Sequence, residues 1–122
     1  MKPLAIMLLA VPMVACAAPL LAPDAPKSIF SQRIAPYEWH EECAQMAKGD
    51  ALEYTFESRD PVQFNIHYHE GNTAVFPVLK EGVRAESGRF EAMLPQDYCL
   101  MWEAGPAGTL LDYRVVMKRA AK

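Results

Sequence analysis

The chain has 122 residues, 52% of them hydrophobic, and its 12 basic and 15 acidic side chains leave a formal charge of −3. That length holds one domain with one core. The acidic balance, with no cluster of lysine or arginine to neutralise phosphates, excludes nucleic acid as a partner.

Met1-Lys2-Pro3 places one side-chain positive charge beside the amino terminus, and residues 4 to 15 then run apolar into Ala15-Cys16-Ala17. This is the pattern of a secretory signal over residues 1–17, and its apolar run is too short to span a bilayer core of roughly 30 Å. The sequence therefore predicts export to an oxidising compartment, the bacterial periplasm. Met13-Val14-Ala15-Cys16 approximates a lipobox, which would make Cys16 the lipidated amino terminus and hold the protein at the outer membrane. Ala15-Cys16-Ala17 equally suits the ordinary signal peptidase, which would discard Cys16, and both outcomes stay open. Acyl chains contribute about 0.8 kcal/mol per buried methylene, so a multiply acylated Cys16 would anchor firmly. Residues 18–28 carry Pro19, Pro23 and Pro26 and read as an extended spacer.

Residues 29–118 read as strands. The segment from Ile29 to Met46 holds one or two, broken near Ala35-Pro36, with Tyr37, Trp39, Glu41 and Cys43 on one face. Leu52, Tyr54 and Phe56 alternate with Glu53, Thr55 and Glu57, a period of two. Asp60-Pro61 reads as a turn, after which Val62, Phe64, Ile66 and Tyr68 alternate with Gln63, Asn65, His67 and His69. Residues 74–79 suggest an edge strand, because Pro77 cannot donate to a ladder. A short strand near Phe90 follows. Tyr98, Leu100 and Trp102 mark a longer one, and Leu111, Tyr113, Val115 and Met117 close the domain. Both Trp39 and Trp102 are expected in the core. The pattern predicts an all-β, antiparallel β-sandwich of seven to eight strands, followed by a solvated basic tail at residues 119–122.

Whichever peptidase acts, Cys16 is modified or removed, which leaves the pair Cys43 and Cys99. In an exported protein the pair predicts a disulfide, with two buried free thiols as the other outcome. Cys43 before Lys48-Gly49-Asp50, the Leu52 strand, Gly88-Arg89-Phe90 and Asp97-Tyr98-Cys99-Leu100 follow one another in an order that resembles GOLD domains, the lumenal β-sandwiches of secretory cargo receptors. The resemblance covers about Trp39 to Met117. It implies a sandwich of seven to eight strands, a Cys43–Cys99 bridge, and a role in binding another protein or a lipid.

The candidate chemistry lies in the His-x-His of residues 67–69. Residues two apart on a strand share a face about 6.6 Å apart along the backbone, so His67 and His69 can converge on one metal ion. His40, with Glu42 or Glu70, would complete a site for zinc or copper if its segment lay beside the His67 strand. The plain alternative is an exposed strand face on which Asn65, His67 and His69 meet water. Ser28, Ser31, Ser58 and Ser87 sit in no nucleophile-elbow context, and no phosphate-cradling glycine loop is present. The expected function is an exported, non-enzymatic domain that binds an envelope protein or lipid, with metal binding as the alternative. Its membrane attachment depends on a Cys16 lipid anchor.

Overall fold

The computed structural model describes residues 19–121; the expected signal segment with Cys16, and Lys122 of the tail, lie outside them. The described chain is all-β: β1 (Lys27–Ile34), β2 (Trp39–Met46), β3 (Ala51–Glu70), β4 (Thr73–Glu91), β5 (Gln96–Ala104) and β6 (Thr109–Lys118). They form one antiparallel sheet in the order β1-β6-β3-β5-β2, with β4 along the other edge of β3.

Six strands are seen where seven to eight were expected, and the difference has a physical cause. The two alternating runs around Asp60-Pro61 are one strand that bends. Residues 51–58 of β3 pair with β6, and residues 62–67 pair with β5. Between them Ser58 Oγ hydrogen-bonds Thr109 Oγ1 at 2.7 Å and donates to the Asp60 carbonyl at 2.7 Å. The Asp60 amide donates to Thr109 Oγ1 at 3.0 Å. Side chains thus take over where the ladder is interrupted, so Pro61 makes a corner rather than a hairpin. β4 turns the same corner, and Gly82 there has φ of 63°, a left-handed conformation that a residue with a Cβ adopts at a cost. β4 is an edge strand, and its register shifts at Phe76-Pro77, where proline offers no amide to β3.

The bend curls the sheet until its inward faces meet. Even-numbered positions of β3 (Leu52, Tyr54, Phe56, then Val62, Phe64, Ile66, Tyr68) keep one phase and all point inward. The rings of Phe56 and Phe64, from opposite sides of the bend, stand 4.8 Å apart between centroids, and Trp102 lies 4.8 Å from Tyr113. Trp102 is fully buried as expected; Trp39 is 59% exposed, because it occupies an outward position of β2.

The domain extends beyond residues 29–118. Leu21, in the expected spacer, is buried; its amide donates to the Cys43 carbonyl at 2.8 Å, and Asp24 donates to the Met117 carbonyl at 2.7 Å. The segment therefore straps β2 to β6. At the other terminus Arg119 and the Ala120 amide bind the buried carboxylate of Asp50 at 2.9 and 2.8 Å, so the start of the basic tail is exposed but tied to the domain. Cys43 and Cys99, directly opposite in β2 and β5, form the disulfide. Closing a loop of this length limits the unfolded chain by on the order of 4 kcal/mol. Replacing both cysteines with serine is expected to lower unfolding free energy in urea by about 3–4 kcal/mol. An unchanged midpoint and slope would show that the bridge contributes nothing to stability.

Candidate binding face

The curl gives the molecule two outward faces of unlike chemistry. One is formed by β1, β6, β3 up to residue 58 and β4 from residue 85. On it Glu53 lies 3.9 Å from Arg89 and 3.6 Å from Lys118, and the Thr55 and Ser87 hydroxyls share a 2.7 Å hydrogen bond. Its mixed, mutually offset charges are those of an ordinary solvated surface.

The other face is formed by β2, β5, β3 from residue 62 and β4 up to residue 81. Its outward charges are Glu41, Glu81, Asp97 and Glu103, and no outward position of these segments is lysine or arginine. Trp39, Phe76 and Leu79 stand exposed on it. At the corner end the face runs into a groove of about 490 Å³ lined by Tyr37, Pro61, Pro106, Asp60, Glu81 and Glu103. Tyr37 holds a left-handed backbone with φ of 61°, uncommon for a bulky side chain, and its amide donates to the Gly105 carbonyl at 3.2 Å. Its ring is 68% exposed at the groove.

In the middle of this face the structure corrects the expectation of a water-facing strand. Asn65 is 0% and His67 6% exposed, although both point away from the core. Register explains it: Met101 and Leu79 flank Asn65, while Cys99 lies beside His67 and the Phe76 ring is 5.7 Å from the imidazole. The Asn65 Oδ1 atom lies 2.8 Å from His67 Nδ1, Asn65 Nδ2 donates to Gln63 Oε1 at 3.2 Å, and Gln63 Nε2 donates to Glu81 Oε1 at 2.9 Å. Burial lowers the His67 pKa from its ordinary value; Glu41 opposes that shift, and His69 adds to it.

The structure brings His67 and His69 together, with ring centroids 5.2 Å apart, and sets Glu41 Oε2 3.9 Å from His67 Nε2. It does not bring His40 to them. β5 separates β2 from β3, and His40 points to the opposite side of the sheet, against Trp102 and Tyr113. Glu70 ends β3 in an exposed position. Glu42, the other acidic candidate, points inward beside His40. Among the described residues, one group of three metal-ligand types converges within 4.8 Å, Glu41 with Cys43 and Cys99, and both sulfurs are taken by the disulfide. Glu41, Gln63, Asn65 and Glu81 escaped sequence reasoning as site residues; their only signal was alternation with core positions, which solvated strand faces share.

His40 and Glu42 instead close the seam between β1/β6 and β2. Tyr113 donates to Glu42 at 2.6 Å, Lys27 pairs with the same carboxylate at 2.6 Å, and His40 Nε2 reaches the Tyr113 hydroxyl at 2.9 Å. Burial by itself raises the Glu42 pKa, but the nearby His40 at 3.6 Å, hydrogen bonds from Lys27 and Tyr113, and the lysine charge outweigh it and hold the carboxyl at about 2. Burial, then Glu42, raises the Tyr113 pKa.

No protein-family model matches the chain, and no curated protein matches it. Among solved structures, a de novo designed double-stranded β-helix determined by solution NMR is similar at a TM-score of 0.35 and 17% identity, over 76% of this chain and 97% of that one. Likeness at that level assigns no function.

The Glu42 carboxyl is held below its ordinary value of 4.5, so its ionised form stabilises the fold above that pH, and the contribution is lost as pH falls toward about 2. Urea unfolding at about pH 6 and pH 3 should show Glu42→Gln losing less stability on acidification than the wild type, by on the order of 2 kcal/mol. Equal losses in the two proteins would mean that the seam carboxylate is not preferentially ionised in the fold.

Proposed function

We propose that this is an exported, non-enzymatic binding domain of the bacterial envelope. Its acidic, aromatic face and the adjoining groove hold a lysine- or arginine-bearing segment of another envelope protein. The observation that carries this reading is the charge segregation: the strand segments on one side of the curled sheet hold no lysine or arginine at an outward position, and that same side exposes Trp39, Phe76 and, at the groove, Tyr37. Carboxylates with no neighbouring cation attract a basic partner, and the aromatic faces add cation–π contacts for arginine or lysine. The left-handed backbone at Tyr37 supports the same site, since such strain persists where the surrounding structure imposes it and clusters at binding surfaces.

The curled sheet acts here as a two-layered sandwich, one layer solvated and one recognising. The resemblance of the Cys43-to-Cys99 order to GOLD domains supports a binding role. Residues 1–17 supply export. Cys16, when lipidated, supplies the membrane anchor, and the strap at Leu21 then keeps the domain within about 17 Å of it, five residues of extended chain.

The test is a fluorescence titration of Trp39 with a short peptide carrying four lysines and with its glutamate counterpart. The lysine peptide should bind, more weakly as salt rises, and Glu41→Gln with Glu103→Gln should weaken it about tenfold or more. Equal binding of both peptides, or no effect of the double substitution, would overturn the basic-partner reading and leave a neutral protein surface or a lipid as the occupant.

A further inference from the structure

The hydrogen bonds that run beneath this face have a direction, and it determines which nitrogen of His67 carries a proton. The Glu81 carboxylate only accepts, so the Gln63 amide must donate to it. That leaves Gln63 Oε1 as the acceptor for the Asn65 amide, and Asn65 Oδ1 as the acceptor for His67 Nδ1–H. The chain of three amide and imidazole groups therefore fixes neutral His67 in one tautomer, with the lone pair on Nε2. Asn65 is fully buried, so the orientation it imposes is not one that water could equally supply.

The Nε2 lone pair faces another acceptor. Glu41 Oε2 is 3.9 Å away, too far for a hydrogen bond and close to the spacing of two donors on one ion, which for bonds of about 2.0–2.1 Å at tetrahedral angles is about 3.4 Å. The Glu41 side chain is 40% exposed, free to close the remaining half ångström. The His69 ring stands edge-on to His67 at 5.2 Å and is itself exposed, which leaves its side chain room to turn toward the same point.

We infer that Glu41, His67 and His69 form a site for a divalent transition metal, with His67 held in its ligating tautomer by the Asn65–Gln63–Glu81 chain. An imidazole whose other ring nitrogen donates to an amide or carboxylate oxygen is the arrangement that orients histidine toward metals. A set of two imidazoles and one carboxylate suits zinc or copper rather than calcium or magnesium. Three protein donors leave a tetrahedral ion one position open to water. The site stands on the same face as the proposed partner surface but does not rest on that reading, since it needs only the ion.

Isothermal titration of zinc sulfate and copper sulfate into the exported protein, without a histidine tag and with its disulfide intact, tests the inference. One ion should bind per chain at roughly micromolar affinity or tighter. Glu41→Gln and His69→Ala, both at exposed positions, should each weaken it tenfold or more. Asn65→Ala should weaken it about 10–100-fold while leaving the three ligands in place, which a purely structural asparagine would not do. Glu70→Gln should leave it unchanged. His67→Ala serves as the null variant where circular dichroism shows the fold retained; where it does not, the Glu41 and His69 variants decide alone. Absence of binding, equal binding by the Glu41 and His69 variants, or binding that appears only after reduction frees Cys43 and Cys99, would overturn the inference.

Discussion

Phe56 and Phe64 lie on one strand, yet their rings meet at 4.8 Å across the core because β3 bends between them. Everything else in the molecule follows from that contact. It requires the strand to turn at Ser58–Pro61, with Thr109 binding both Ser58 and the Asp60 amide, and it requires β4 to turn with it at Gly82. Once the turn is made, the inward positions of five strands enclose the aromatic cluster of Tyr54, Phe56, Phe64, Trp102 and Tyr113. Tilted and edge-on ring pairs of this kind add about 0.5–1.5 kcal/mol each beyond the apolar area they bury.

Curling also brings the two outermost strands of the sheet order, β1 and β2, to a common seam, and unpaired strand edges are prone to illegitimate pairing. The seam is closed without a ladder. Leu21 fills it and bonds to Cys43, while Lys27 reaches across to the buried Glu42, which Tyr113 and His40 also engage. This accounts for a histidine and a glutamate pointing inward from β2 beside a tryptophan pointing outward. With polar groups drawn to the seam and no lysine or arginine at the outward positions of its strands, the β2–β5 face is left acidic, aromatic and partly dry. Those properties suit recognition of a basic segment, and the oriented His67 beneath them suits a metal ion.

Alternation made most of the fold legible. The inward residues of β3, β5 and β6 are the hydrophobic members of runs with a period of two, and the Cys43–Cys99 bridge follows from counting cysteines in a chain expected to be exported. The continuity of β3 was not legible, because Asp60-Pro61 has the composition of a turn and the groups that convert it to a corner belong to Thr109, 49 residues away. In β2 the shared face of Trp39, Glu41 and Cys43 was readable, but not that this face points outward with its tryptophan exposed while Glu42 is buried; the burial of Glu42 depends on Lys27 and Tyr113 from other strands. The same holds for the site. His-x-His was visible as a pair, whereas the burial of His67 and Asn65 comes from Met101, Leu79, Phe76 and the disulfide, none of them sequence neighbours.

The contact across the bend can be measured by a double-mutant cycle of Phe56→Leu and Phe64→Leu, followed by urea unfolding. A curled sheet with facing halves predicts a coupling free energy of about 0.5–1.5 kcal/mol between the two rings. Strictly additive effects would mean that the halves do not face each other, contradicting the arrangement on which both the core and the segregated outer faces depend.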